Sequence, residues 1–353
     1  MKIVNVMTSK VLGGIEQAFL DYNKALSLKN HKVINIINKN AKIKSKISNE
    51  TIDKIIEIPF VHYNYFLIPY LYFKLKKENV DIFIVHNKKA IPIFKYLAKL
   101  LKVKIVGVSH NPKYKYIDKC DAIFTITDYQ KEIFINKGFN KNRIFTIPNS
   151  IDVNSNINHN QIKAQETNSK LKVGVLGRFD PMKGFPDFIK ALSILKKDNI
   201  PFVAIIGGAP QTKNLDEYNK VKSLVKELNL EEDVQFLGWI EDKTKFFNYI
   251  DIFVLPSFFE PFGIVLLEAM LHSKPIVSSL AEGPSEIFKD NKDCAYLFPI
   301  KDYEEMAAQI KKAIINYDIT KKIGINGYNL CIKNYSTENI SHKINDALLE
   351  VIK

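Results

Sequence analysis

The chain has 353 residues and carries 51 Lys and Arg against 38 Asp and Glu, a formal charge of +13. That length predicts two domains rather than one small core, and no apolar run approaches the ~18 residues that a membrane-spanning helix needs. Its three cysteines, Cys120, Cys294 and Cys331, are scattered without a C-x-x-C, which argues against a disulfide framework or zinc site and for a cytoplasmic location.

The charge is uneven. Residues 1–150 hold 26 Lys and Arg against 11 Asp and Glu, a balance of +15; the remainder holds 25 against 27, a balance of −2. Such asymmetry suggests an anionic partner, nucleic acid or a membrane surface, or else a surface merely solvated by lysine. No nucleic-acid motif is present, so nucleic acid is set aside.

Short apolar runs alternate with helical patterns along the whole sequence, the signature of β-α-β units and parallel sheets. Met1–Met7 reads as a first strand rather than a leader. Strands are expected at Ile3–Met7, Val33–Asn38, Ile82–His86, Lys104–Ser109, Ala122–Thr127 and Ile144–Pro148. Periodicity lapses between Ile151 and Lys170, where Asn, Ser, Gln and Thr dominate, and a linker is expected there. Strands resume at Lys172–Gly177, Phe202–Ile206, Val234–Leu237, Asp251–Leu255 and Pro275–Ser279. The expected domains are 1–165 and 171–335, both doubly wound α/β, with strand C-termini lining a shared ligand cleft.

Chemistry-bearing residues fall at those strand ends. Gly13-Gly14 opens a helix after the first strand, allowing close backbone approach and an N–H cradle. Ile58–Lys77 is crowded with Phe and Tyr and ends in Lys74, Lys76 and Lys77, a composition suited either to an anionic membrane surface or to a helix packed on the sheet. His86 and His110 each close a strand. Arg178 and Lys183 precede a helix whose dipole they oppose, so an anion such as a diphosphate should compensate them. Gly207-Gly208 forms another close-approach turn. The stretch Pro256–Met270 then runs from strand to helix. Glu260 lies just before the helix, whose first amides, near Phe262, Gly263, Ile264 and Val265, form an anion site. Glu268 sits on a helix apolar nearly all round and needs a partner.

Glu260 and Glu268, inside E-P-F-G-I-V-L-L-E-A-M, resemble the E-x7-E signature of the retaining GT-B glycosyltransferases, family 4. Arg143–Asp152 is similar to the family's I-P-N-G-I-D turn, with Ser150 in place of glycine. Ala281–Ile287 resembles its G-G-x-x-E, with Glu282 where the first glycine is common. The resemblance covers nearly the whole chain and is weakest from Lys39 to Asn79 and in the linker. It implies a GT-B fold of two Rossmann-like domains, with the last helix (about 336–353) crossing back to the first. It further implies hexose transfer from a nucleotide diphosphate sugar, UDP favoured, with retention. The acceptor would be a saccharide or lipid-linked saccharide of a bacterial surface glycan.

By the same resemblance Arg178 and Lys183 hold the diphosphate, aided by amides at Gly13, Gly14, Gly207 and 262–265. Glu268 takes the ribose hydroxyls, Glu260 the donor-sugar hydroxyls, and His110 the sugar near the reacting carbon. His86 would be an acceptor-side contact, His31 structural, and the backbone near Val234–Ile240 would read the nucleobase. No Asp-x-Asp occurs, so neither metal nor cofactor is expected. The expected location is the cytoplasm, with peripheral attachment to the membrane through the basic first half. The alternatives are another GT-B enzyme, a sugar-nucleotide epimerase or glucan synthase, or a non-catalytic scaffold for an anionic surface.

Overall fold

The computed structural model describes residues 1–59, 64–112, 115–153, 170–210 and 215–353. The chain divides into two compact units, Met1–Asp152 with Tyr335–Lys353, and Val153–Asn334. Most of the expected linker, 154–169, lies outside the described residues.

In the first unit the strands are β1 (Lys2–Met7), β2 (Lys32–Asn38), β3 (Lys54–Ile58), β4 (Ile82–Val85), β5 (Lys104–Ser109), β6 (Ala122–Thr125) and β7 (Ile144–Thr146). They form one parallel sheet in the order β3-β2-β1-β4-β5-β6-β7. Helices α1 (Gly14–Leu28), α2 (Leu67–Lys76), α3 (Ile91–Leu101) and α4 (Asp128–Asn136) lie between them. Strand β1 is buried from Ile3 onward, as the near-continuous apolar run of a central parallel strand requires. Its side chains alternate between two cores. Val4 and Val6 join Phe83, Leu71, Leu75, Phe94 and Leu97, while Ile3 joins Ile82, Val106, Tyr22 and Leu26. Each such side chain contributes about 1.5–3 kcal/mol by leaving water.

The second unit repeats the plan. Its elements are β8 (Leu171–Leu176), α5 (Phe185–Lys197), β9 (Phe202–Gly207), α6 (Asp216–Glu227), β10 (Val234–Gly238), α7 (Lys243–Tyr249), β11 (Ile252–Leu255), α8 (Ile264–Leu271), β12 (Ile276–Ser279), α9 (Glu282–Phe288), β13 (Tyr296–Phe298), α10 (Tyr303–Ile315) and α11 (Tyr317–Tyr335). The sheet is parallel in the order β10-β9-β8-β11-β12-β13. The chain then returns to the first unit as α12 (Thr337–Ile352), capped by Ser336, whose hydroxyl accepts from the Asn339 amide. Ile340, Ile344 and Leu348 of α12 pack with Tyr22 and Leu26 of α1. Ile151 fastens this return, donating to Tyr335 O at 2.9 Å and accepting from Thr337 N at 3.0 Å.

The α/β alternation therefore gives two doubly wound sheets, as expected. Strands β3 and β13 escape the sequence reading. Each is short and sits at a sheet edge, where a strand needs few apolar residues. The unusual Ile58–Lys77 stretch is not one element: Ile58 closes β3, Leu67–Lys76 forms α2, and residues 60–63 lie outside the described residues. Strand order reverses between β1 and β4 and again between β8 and β11. Open parallel sheets bind ligands at the carboxyl ends of strands flanking such a reversal.

Candidate active site

In the second unit the loops after β8 and β11 are fastened together. Phe258 N donates to Met182 O at 2.8 Å. Gly184 adopts φ +68°, and a Cβ there would come within 2.1 Å of Pro256 O, so only glycine allows the approach. This places Lys183 beside Glu260, with Nζ 2.6 Å from Oε2. The compensating anion expected for the cations is, for Lys183, the protein's own carboxylate. Arg178 is exposed and makes no ion pair among the described residues.

Gly263, at φ +100° and ψ 58°, turns the chain into α8, leaving the first helix amides without intrahelical partners. One turn into α8, Glu268 is mostly covered. Its Oε1 lies 2.5 Å from Lys243 Nζ, while Oε2 is buried without a hydrogen-bond partner among the described residues. Burial raises its pKa, and the Lys243 ammonium opposes that rise. A buried acceptor without a donor costs roughly 1–3 kcal/mol, and a ligand hydroxyl would satisfy it. Ser257, fully buried at the end of β11, likewise has an unpartnered Oγ. Gly283 N donates to Glu260 O at 2.8 Å, and its missing Cβ admits Phe262 O, which would otherwise lie at 2.1 Å. The start of α9 thus presses on the loop carrying Glu260.

Of the Gly207-Gly208 pair, the conformation that demands glycine belongs to Gly208. It has φ +145°, and its Cβ would meet Gly177 O at 1.9 Å. At Gly207 the space is filled by Ile240, Leu176 and Phe246, each with an atom 2.9 Å from a hypothetical Cβ. Packing within the protein therefore accounts for that glycine. Trp239, after β10, is 63% exposed.

In the first unit, Gly13 caps α1 with an extended backbone, φ −174°, which any residue adopts, and Gly14 is its first helical residue. His86 and His110 follow the adjacent strands β4 and β5. Their Nδ1 and Nε2 atoms lie 3.1 Å apart, and the rings stack with centroids at 5.3 Å. His110 is buried, and burial together with the nearby Lys88 ammonium lowers its pKa to about 3. It is therefore a neutral imidazole at neutral pH. His86 is only 2% exposed and is edge-on to Tyr22 at 4.8 Å, which makes it the inner partner of His110. His31 bonds the N-terminus and Asn345, a structural role as expected.

Two family models match consecutive stretches: "Glycosyltransferase Family 4" over residues 12–155 and "Glycosyl transferases group 1" over residues 157–330. The chain belongs to the GT-B glycosyltransferases of family 4. Among solved structures, that of the Anabaena protein HepE in complex with UDP matches with a TM-score of 0.84 at 20% identity, covering 99% of this chain and 100% of that one. This likeness carries the fold. Among curated proteins, the lipopolysaccharide core biosynthesis glycosyltransferase LpsE of Rhizobium meliloti is 28% identical over 177 residues, 50% of this chain and 48% of that protein. The poly(ribitol-phosphate) alpha-N-acetylglucosaminyltransferase of Staphylococcus aureus is 27% identical over 258 residues, 69% of this chain and 49% of that protein. The matches thus span about half the length of these relatives.

Within this family 4 chain, the second unit brings together Lys183, Glu260, the α8 N-terminus and Glu268, all singled out by sequence. Lys243 and Ser257 were missed. Lys243 opens α7 behind its cap Asp242, and no local pattern distinguishes it from the chain's other lysines. Ser257 stands inside the stretch that carries the signature, and its burial at a strand end was the available signal.

Proposed function

We propose that this protein is a retaining glycosyltransferase that moves a hexose from a UDP-sugar to a saccharide or lipid-linked acceptor of a bacterial surface glycan. The observation that carries this reading is Glu268, whose Oε2 is a buried acceptor lacking a donor among the described residues. Ribose hydroxyls supply that donor. Arg178 and Lys183 take the diphosphate, with the amides at 262–265 and, in the first unit, those at Gly13 and Gly14. Glu260 takes donor-sugar hydroxyls while holding Lys183, and neutral His110 donates or accepts a hydrogen bond at the sugar. UDP is favoured because HepE was crystallised with UDP and with UDP-glucose. A surface-glycan acceptor is favoured by the names of the curated relatives.

In the proposed step the anomeric carbon–phosphate oxygen bond breaks and a bond to the acceptor oxygen forms on the same face. The acceptor proton passes to the departing phosphate. The cations and helix amides stabilise the charge gathering on that phosphate, and no metal or cofactor enters the proposal. Peripheral attachment is proposed through α2, where Phe66, Tyr70 and Phe73 recur at helical spacing and are 94%, 45% and 68% exposed; Lys74 and Lys76 follow. No helix among the described residues is long and apolar enough to cross a membrane.

The test is turnover of UDP-glucose, UDP-galactose and UDP-N-acetylglucosamine, with product anomers assigned by NMR. An α-linked product from an α-linked donor supports the reading. An inverted product, or no UDP binding by calorimetry, overturns it.

A further inference from the structure

A concavity of about 580 Å³ lies on the first unit between Tyr65, two residues before α2, helix α3 and the start of β5. Lys104 opens β5 and Ser109 closes it, so this hollow sits at the opposite end of the strand from His110, roughly 20 Å along the chain direction. It is remote from the candidate site of this unit and plays no part in the proposed transfer.

Its lining is strongly one-signed. Lys95, Lys99, Lys102, Lys104 and Lys119 surround it, against the single carboxylate of Asp121. That carboxylate is already engaged, by Lys95 Nζ at 2.9 Å and by the Ile105 amide at 2.9 Å. Lys99, Lys102, Lys104 and Lys119 are exposed and have no carboxylate partner among the described residues. Elsewhere, two carboxylates each hold two lysines. Lys2 and Lys54 share Glu78, and Lys170 and Lys196 share Asp233. Four ammonium groups without carboxylate partners among the described residues, one of them, Lys119, over the Tyr116 ring at 5.7 Å, repel one another around one hollow and concentrate anions. The C-terminal carbonyls of α3 offset only part of this, about half a unit charge. Tyr65 and Tyr96, each about half exposed, also line it and offer aromatic faces.

We propose that this hollow binds a ligand bearing clustered phosphates, with Lys99, Lys102, Lys104 and Lys119 as its cationic contacts. Several point charges on flexible stems suit a polyphosphate or phosphodiester better than one planar carboxylate, which a guanidinium fork would match. The volume accommodates a phosphorylated headgroup or a small soluble phosphate ester. Because it involves none of the donor-site residues, the site stands whether or not the glycosyl transfer proposed above is correct.

The experiment uses the full chain and two triple variants of equal charge. Lys99→Gln/Lys104→Gln/Lys119→Gln removes three of the hollow's lysines, while Lys197→Gln/Lys220→Gln/Lys226→Gln removes the same charge from exposed positions on α5 and α6 of the second unit. Tripolyphosphate binding is measured by calorimetry, and co-sedimentation is measured with phosphatidylcholine vesicles with and without phosphatidylglycerol. Taking each lysine as about fivefold, the first variant should bind tripolyphosphate roughly a hundredfold more weakly, and the second should stay within about threefold. Vesicle binding that needs phosphatidylglycerol and is lost in the first variant assigns the site to a lipid headgroup. Tripolyphosphate binding without vesicle binding assigns it to a soluble phosphate ester. Absence of both, or equal losses in the two variants, overturns the site in favour of diffuse surface charge. Melting temperatures of both variants, read beside the binding, separate lost contacts from lost folding.

Discussion

Glu268→Gln is the most informative single change. Glutamine keeps the shape but removes the charge that burial disfavours, and it loses the pair with Lys243, whose side chain is 49% exposed and can return to water. A pair with one partner so exposed contributes at most about 1 kcal/mol, so the free variant should melt close to the parent at neutral pH. Ligand binding should not be spared. A hydroxyl donating to a carboxylate contributes about 1.5–3 kcal/mol, so UDP affinity should fall roughly 10- to 150-fold. At a UDP concentration 100 times its Kd, the parent gains about 2.7 kcal/mol of stability, whereas the variant gains about 0.3–1.4 kcal/mol. For a unit of this size each kcal/mol moves Tm by about 2–4 °C, so the variant should show at most about half the parent's shift. Differential scanning fluorimetry against UDP, GDP and ADP reads this directly. Equal stabilisation of parent and variant by UDP would falsify the contact between Glu268 and the nucleotide.

Burial raises the pKa of Glu268, so the folded state holds this proton more tightly than the unfolded state; the parent should lose stability relative to Glu268→Gln as pH rises through the acid range, then run parallel to it, in melts from pH 4 to 8. His110 behaves oppositely. With its pKa lowered to about 3 and that of His86 also depressed by burial, the unfolded chain binds more protons between about pH 6.5 and 3. Stability should therefore fall with acidification across that window, and less so in His86→Asn; an unchanged slope would contradict the buried pair. Gly184→Ala should cost about 3 kcal/mol or more, since its Cβ meets a backbone carbonyl at positive φ. Gly138→Ala, at φ +86° with nothing within 4 Å, should cost only about 1–2 kcal/mol, and equal melting of the two variants would refute the clash. Lys183→Met should lower kcat/KM by about 100-fold or more by removing a charge from the leaving group; a change confined to KM would place Lys183 in ground-state binding alone.

Legibility in the sequence followed range. The strands are local apolar runs, and the sheet that buries them is a consequence, so most were readable; β3 and β13 were not, because an edge position relaxes the pattern. The Glu260–Glu268 stretch and the positions of His86 and His110 at strand ends were readable as well. Partners across the fold were not. That Glu260 meets Lys183, 77 residues earlier, or that Glu268 meets Lys243, follows from which strands flank the reversal and how each loop is fastened. The histidines illustrate the limit closely. Their place on neighbouring strands could be inferred, but the stacking that buries His86 and gives His110 its partner could not. At Gly207-Gly208 the sequence offers two equal glycines, and only φ distinguishes the one that needs its freedom.

The electrostatics of the second unit bear on how a nucleotide sugar could enter it. Each carboxylate of the signature is held by a lysine from another part of the fold, Glu260 by Lys183 and Glu268 by Lys243, so the free site keeps neither carboxylate as an isolated buried charge. A carboxylate left alone there would take up a proton or repel the incoming diphosphate. With both paired, Arg178, exposed and without an ion pair among the described residues, would on the proposed reading meet that diphosphate first. Lys183 can then serve Glu260 and a phosphate oxygen together, because an ammonium carries three donors. The lysine pairs leave lone pairs on both carboxylates for hydroxyls, Glu268 Oε2 most plainly. On the proposed reading, pairing each acid internally, rather than leaving it to the ligand, would reserve the diphosphate's charge for the cations proposed to stabilise its departure.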